Sequence, residues 1–250
     1  VFGIFNGTSN YILTSMEKEN KSFNEVLRKA QKLGYAERNP SSDLNGDDVA
    51  AKLKILSSLC FNSFLNKNIH VEGIKDIDKE DINYAKRLGY KIKLLGYAEL
   101  IGKNIFQRVH PTLIKKSSYV GSIDGVLNAV IIDGNPVGQS TIQGEGAGPA
   151  ATTSALISDI SSILRGNIKF PFSISNKERK NLNFKDISER FFSAYLRFNV
   201  IDKPGVLSNI TQIFSKNKVS IKRLVQDPNK NKKFSSIIIV THPSKDKSLN

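Results

Sequence analysis

The chain has 250 residues, 39% of them hydrophobic, and a net charge of +14: enough apolar material for one large or two small cored domains, no apolar run that approaches bilayer-spanning length, and no charged-then-apolar leader. A single cysteine, Cys60, excludes an internal disulfide framework and reads as a core thiol of a reducing, cytoplasmic compartment, while His70, His110 and His242 are scattered and suggest no metal site. The lysine excess raises nucleic-acid binding, but the denser groups, Lys177–Lys180 and Lys230–Lys233, carry no aromatic–basic pattern, so the reading is a solvated surface.

Val1 to Phe5 reads as the end of a buried strand. Asn6-Gly7 turns, and Thr8 or Ser9 can cap a helix with Ile12, Leu13 and Met16 on one side. Free N–H groups at a Gly7-Thr8 helix start suit a small polar ligand; the same residues suit an ordinary capped turn. Ser22 and Glu25 have capping-box spacing ahead of a helix with Phe23, Val26, Leu27, Ala30 and Leu33 on one face, which Gly34 ends. The stretch from Gly34 to Lys52 then gathers Glu37, Asp43, Asp47, Asp48 and Lys52. Pro40, Asn45 and Gly46 keep its middle irregular, and a second helix begins near Asp47. Asp48 and Lys52 stand four apart on one face of it, at the edge of an apolar stripe of Val49, Leu53, Leu56 and Cys60. A lysine held beside a carboxylate, with more carboxylates near, can handle a proton and bind an amino group. The competing reading is a weak, solvated surface pair.

Residues 66–77 read as a polar connection and Asp78–Leu88 as a helix ended by Gly89. The period then changes to that of strands. Segments 91–101 and 104–113 pair around Gly102-Lys103, and 126–132 and 137–142 around Asp133-Gly134, a hairpin signal. The expectation is a largely antiparallel sheet covered by helices, an α+β sandwich. Gly144, Gly146 and Gly148 fall between the last strand and a helix over 151–164, where they permit close approach of a phosphate or ribose or serve as a flexible connection. Their spacing is not G-x-G-x-x-G, and no nucleotide-binding unit is recognisable. Residues 173–190 read as a linker. Beyond it come an alternating strand (192–200), a turn at Asp202–Gly205, a helix carrying Val206, Leu207, Ile210, Ile213 and Phe214, and two strands (219–226, 234–241) around a 227–233 turn. That β-α-β-β order is half of a ferredoxin-like module. Gly205 leaves N–H groups accessible at the helix start, which suits a carboxylate, and Asn209 offers an amide on the same side.

The segments GIFNGTSNYIL, AQKLGYAERNPSSDLNGDDVAAKLKIL, LGYKIKLLGYAE, GVLNAVIIDGNPVGQSTIQGEGAG and TTSALISDI, in this order, resemble homoserine dehydrogenase over about residues 1–172. VIDKPGVLSNITQIFSKNKVSI, in 191–250, resembles an ACT-type ligand-sensing domain. The resemblance implies NADP- or NAD-dependent interconversion of L-aspartate 4-semialdehyde and L-homoserine, on the route to threonine, methionine and isoleucine, with threonine as effector and a homodimer or higher homo-oligomer as the unit. By motif it implies substrate contacts from Gly7 and Thr8, Tyr35 and a buried Glu37 that receives the ammonium, positioning acids Asp43 and Asp48, and Lys52 as proton donor. It also implies a cofactor-side loop at Gly144, Gly146 and Gly148 and an effector site at Gly205 and Asn209. The family's Rossmann domain, with its second active-site lysine, and its monovalent-cation segment are not in this sequence. Ala151-Thr152-Thr153 stands where the family has proline-threonine-alanine, the ACT-type module is partial, and both ends read as cut. A second class, a non-catalytic amino-acid-binding regulator, fits the C-terminal module but gives no role to Glu37, Asp48 and Lys52 together.

Overall fold

The computed structural model describes residues 1–65, 67, 69–167, 175–228 and 234–249. The chain divides into two units, Val1–Phe184 and Lys185–Asn250.

The first unit begins with β1 (Phe2–Ile4), and Asn6 then caps α1 (Gly7–Glu19), its side-chain oxygen accepting from Ser9 N at 2.8 Å. The cap is therefore Asn6 and not Thr8 or Ser9: a cap needs extended backbone and a side-chain acceptor one step before the helix, and Asn6 has both. A reciprocal Ser22–Glu25 box starts α2 (Phe23–Lys32), and Gly34, at φ +76, lies just past its end. The middle of the next loop is not irregular. Leu44, 4% exposed, anchors a short helix, α3 (Ser41–Asn45), and Gly46 at φ +89 separates it from α4 (Asp47–Phe61). Cys60 is exposed, contrary to expectation. The buried stripe of α4 passes from Val49 and Leu53 to Ser57, whose hydroxyl is satisfied by Leu53 O and by Gln107 Nε2; a small hydrogen-bonded serine takes the place the stripe offered the thiol.

There follow β2 (His70–Val71), α5 (Lys79–Arg87), β3 (Tyr90–Ile101), β4 (Asn104–Lys115), α6 (Tyr119–Ser122), β5 (Leu127–Gly134), β6 (Gly138–Glu145), α7 (Pro149–Leu164) and β7 (Asn183–Phe184). The sheet runs β2-β4-β3-β1-β5-β6, with β7 also on β4; β2 and β7 lie parallel to β4 and the other pairs are antiparallel. The second hairpin turns two residues later than its Asp-Gly signal, since β5 extends through Asp133-Gly134 and Gly134 faces Gly138. Pro136 has no N–H for a ladder and so falls in the turn. The last helix starts at Pro149, two residues earlier than expected; proline suits a first turn, where its missing N–H costs nothing. Within the stretch expected as a linker, 173 and 174 lie outside the described residues, Asn183–Phe184 pairs with β4, and Ile187 is buried.

β1 joins the two hairpins and supports Phe5. A Cβ on Gly3 or on Gly96 would stand 2.6 Å from the Phe5 ring, so both positions need glycine. On the helix-covered side of the sheet Phe5, Ile12, Leu53, Ile82, Leu94 and Val109 form one core, each large side chain contributing about 1.5–3 kcal/mol. A smaller cluster holds Ile4, Leu95, Ile123, Ala129 and Ile131.

The second unit contains β8 (Phe191–Phe192), β9 (Tyr195–Ile201), α8 (Val206–Lys216), β10 (Ile221–Pro228), β11 (Phe234–Thr241) and β12 (Ser244–Lys245). Its main sheet runs β10-β11-β9, and β12 pairs with β8, so the first expected strand is split at Ser193-Ala194. The expected turn residues 229–233 lie outside the described residues. Phe214, Val219, Ile237 and Ile239 form the core. Ile213 is 59% exposed and so falls off the buried face of α8.

Candidate active site

Four elements converge where β1 ends. α1 presents Asn6, Gly7 and Thr8, the α2–α3 loop brings Tyr35 and Glu37, and α3 and α4 bring Asp43, Asp48 and Lys52. One chain of hydrogen bonds ties Asn6, Asp43, Asp48 and Lys52 together. Asn6 Nδ2 donates to Asp43 Oδ1 at 2.7 Å and to Asp48 Oδ2 at 2.9 Å. Lys52 Nζ donates to the same Asp48 Oδ2 at 2.8 Å and to Phe5 O at 3.1 Å. Ser9 Oγ donates to Asp43 O at 2.8 Å, which fixes α3 against α1. The Asp48–Lys52 pair is thus more than an i,i+4 surface contact. Its lysine is anchored to the strand end as well, with the two side chains 27% and 44% exposed. An ammonium has three N–H bonds; Phe5 and Asp48 direct two, which leaves one for a ligand oxygen.

Thr8 Oγ1 donates to Tyr35 O at 2.7 Å, and the Tyr35 ring lies 4.8 Å from that of Tyr11. Tyr35 is 44% exposed. Glu37 is exposed, not buried as expected, and stands outside the hydrogen-bonded chain among the described contacts; Gln31 Nε2 donates to its carbonyl at 3.2 Å. The cause is local: Ala36 turns in at 6% exposure, so its neighbour turns out.

Gly7 packs on the start of β5, where an added Cβ would meet Val126 O at 2.7 Å. Leu127 faces Glu145 and Ile4 faces Ala129, so β1, β5 and β6 share this end of the sheet, and the glycine loop leaves the sheet there. Gly144 faces Asn128; a Cβ on Gly146 would meet Asn128 Nδ2 at 1.8 Å, while at Gly144 and Gly148 it would meet nothing within 4 Å. Bare backbone at those two positions fits a flat ring or a sugar passing close by.

Asn6 is the site residue that sequence reasoning passed over as a turn. Its helix-start position was a signal for capping, but nothing local announces that its amide reaches acids 37 and 42 residues away.

Residues 1–161 match the family profile described as Homoserine dehydrogenase, and residues 194–249 match the ACT domain. The chain belongs to the homoserine dehydrogenase family. It is 40% identical over 248 residues to the homoserine dehydrogenase of Helicobacter pylori and 38% identical over 256 residues to that of Neisseria gonorrhoeae. These alignments cover 99% and 100% of the chain, and 58% and 59% of the relatives, so the chain spans less than two thirds of their length. A crystal structure of a homoserine dehydrogenase from Thiobacillus denitrificans superposes with a TM-score of 0.91 at 37% identity, covering 100% of this chain and 58% of that one. The hydrogen-bonded chain from Asp43 to Lys52 lies wholly inside the homoserine dehydrogenase match, whereas Gly205 and Asn209 lie inside the ACT match.

Proposed function

We propose that this chain carries the substrate side of an NAD(P)-dependent homoserine dehydrogenase, with an amino-acid-sensing ACT module after it. The observation that carries the reading is Lys52, held by Asp48 and by the Phe5 carbonyl with one N–H to offer. A nicotinamide cofactor held beside Gly144 and Gly148 would supply a hydride to the aldehyde carbon of L-aspartate 4-semialdehyde. Negative charge then develops on the aldehyde oxygen; the Lys52 ammonium stabilises it and gives it a proton, which completes the alcohol of homoserine. In the reverse direction neutral Lys52 takes that proton back. Asp48 keeps the ammonium aimed. Asp43, with Gly7 and Thr8 at the start of α1, orients the amino-acid end. Tyr35 and Glu37 close the outer rim, where the carboxylate receives the α-ammonium in a partly wet setting. Gly144 and Gly148 would let a cofactor pass close to the backbone, while Gly146 seats the loop against Asn128. Residues 1–172 act as the catalytic and dimerisation domain and 191–250 as the regulatory domain of a cytoplasmic enzyme, with 173–190 connecting them as partly structured chain, since Asn183–Phe184 pairs with β4.

Two further observations support the wider reading. On α7 Leu156, Ile157, Ile160, Ile163 and Leu164 are all more than half exposed, and on β6 Ile142 is 68% exposed. An apolar face of this extent calls for a cover, and a second copy making a homodimer supplies one. In the second unit a cleft of about 340 Å³ is lined by Asp202, Lys203, Gly205, Gln226 and neighbours, at the start of α8. It suits a small zwitterion, with threonine as the effector, and Asn209 lies one turn further along the helix.

Homoserine-dependent NADP⁺ reduction tests the reading. The chain joined to a nucleotide-binding domain of the family is expected to be active and residues 1–250 alone silent. Activity of the chain alone overturns the proposed division of labour, and an inactive joined enzyme overturns the reading itself.

A further inference from the structure

Asn6 is buried, at 5% exposure, and every polar atom of its side chain is engaged at the site. Capping α1 needs only its acceptor oxygen, which serine or aspartate would supply as well. The two amide hydrogens are the surplus, and they go to two carboxylates on separate helices, Asp43 on α3 and Asp48 on α4. We propose that Asn6 is a positioning residue for the reaction: its single amide sets the separation of Asp43 and Asp48 and, through Asp48, the aim of Lys52.

Like charges on α3 and α4 push those side chains apart, and a donor between them reverses the preference. Asp48 Oδ2 accepts from Asn6 and Lys52 together, so turning Asp48 away from Asn6 also frees the lysine from its aim. The inference rests on the dehydrogenase reading for its catalytic consequence, but the positioning itself does not depend on it.

Two variants keep the cap and remove the tie. Asn6→Ser is too short to reach both acids. Asn6→Asp is isosteric but replaces the donors with a third carboxylate. With unfolding temperatures close to wild type, both are expected to lower kcat of homoserine oxidation by about 10–100-fold, the loss that a small misplacement of a reacting group causes. Only Asn6→Asp moves the pH profile. The charged groups facing position 6 are Asp43 from α3 and Asp48 and Lys52 from α4, and the first turn of α1 adds no acid. An added negative charge favours the protonated form of any group beside it that must lose a proton for oxidation, so the pH dependence of oxidation is expected to move to higher pH. In a crystal structure of Asn6→Ser the carboxylates of Asp43 and Asp48 are expected to part. Wild-type kcat in Asn6→Ser with both carboxylates in place overturns the proposal, as does an unchanged pH profile in Asn6→Asp. Failure of both variants to fold reduces Asn6 to a structural residue and overturns it too. If the wild-type joined enzyme does not oxidise homoserine, the dehydrogenase reading falls, while the Asn6→Ser structure still decides the positioning.

Discussion

Lys52 and Glu37 differ in how firmly the protein holds them, and that difference sets what each substitution does. Lys52 is pinned at both Phe5 and Asp48, so in the proposed reaction it would meet the developing oxyanion in a fixed place. Lys52→Ala is expected to lower kcat by roughly 10²–10⁴-fold with little change in KM, the range for removal of a general acid. Glu37 is exposed, so its contribution to an incoming ammonium is diluted by water. Glu37→Ala is expected to raise KM for homoserine by roughly tenfold, about 1.4 kcal/mol, while kcat stays near wild type. Steady-state kinetics of the joined enzyme measure both; near-wild-type kcat in Lys52→Ala would remove it from the mechanism.

Among the elements, α1 is seated by a buried polar cluster distinct from the apolar core. Lys93 on β3, 1% exposed, donates to Asn10 Oδ1 at 2.9 Å, Ile123 O at 2.6 Å and Asp124 Oδ1 at 3.1 Å. Three acceptors around one nitrogen require the ammonium form, although burial lowers its pKa against the pull of Asp124. Asn10 Nδ2 donates in turn to Ile123 O and Leu127 O, which binds α1 to the start of β5. Burial pushes the Asp124 carboxyl up, but ion pairs with Lys91, Lys18 and Lys93 outweigh this and hold it at about 2, below its ordinary 3.8. A depressed carboxyl stabilises the fold above its unfolded value. That contribution, about 2 kcal/mol, is expected to fade as pH falls from 3.8 through about 2. Asp124→Asn is expected to lack this acid-side loss and to be less stable at neutral pH by about 3–5 kcal/mol, because Lys93 is left buried without its counter-charge. Urea unfolding of both proteins across that pH range measures the difference; equal stability at neutral pH would show that the lysines find other partners.

At the scale of the whole molecule the two proposals concern partners and effectors. A protein with α7 exposed on its apolar residues is expected to sediment as a dimer, and Ile157→Asp with Ile160→Asp to shift it to monomer. A monomeric wild type would mean that another partner covers that face. For the ACT module, the proposed effector site lies at the start of α8, where Gly205 sits at φ +90, a conformation that favours glycine, and lines the cleft. Threonine is expected to inhibit the wild-type joined enzyme, Gly205→Val to abolish that inhibition and Asn209→Ala to weaken it, with activity in the absence of threonine unchanged. Equal inhibition of all three would place the effector elsewhere. No inhibition of any would mean that threonine does not bind the two states of the module differently.

Local chemistry was enough to read much of this protein from its sequence. The Ser22–Glu25 box, the stop at Gly34, the paired strands around Gly102 and the β-α-β-β order of the second unit all rest on interactions between near neighbours, so they were visible as spacing and turn residues. Asp48 and Lys52 were legible as a pair for the same reason, being one helical turn apart. Contacts distant in sequence were settled only by the folded chain. The three-residue strand β1 joins two hairpins that the sequence showed as separate, because two glycines on facing strands leave room for the Phe5 ring. Ser57 rather than Cys60 continues the buried stripe of α4, because Gln107 from β4 meets its hydroxyl. Ala36 turns inward and so leaves Glu37 in water. Asn6, read locally as a turn, reaches Asp43 and Asp48 across helices whose mutual approach no short-range pattern encodes. Spacing along the chain determines which side chains share a face; which faces meet depends on how the core closes, and that closure brings the amide of Asn6 between two acids.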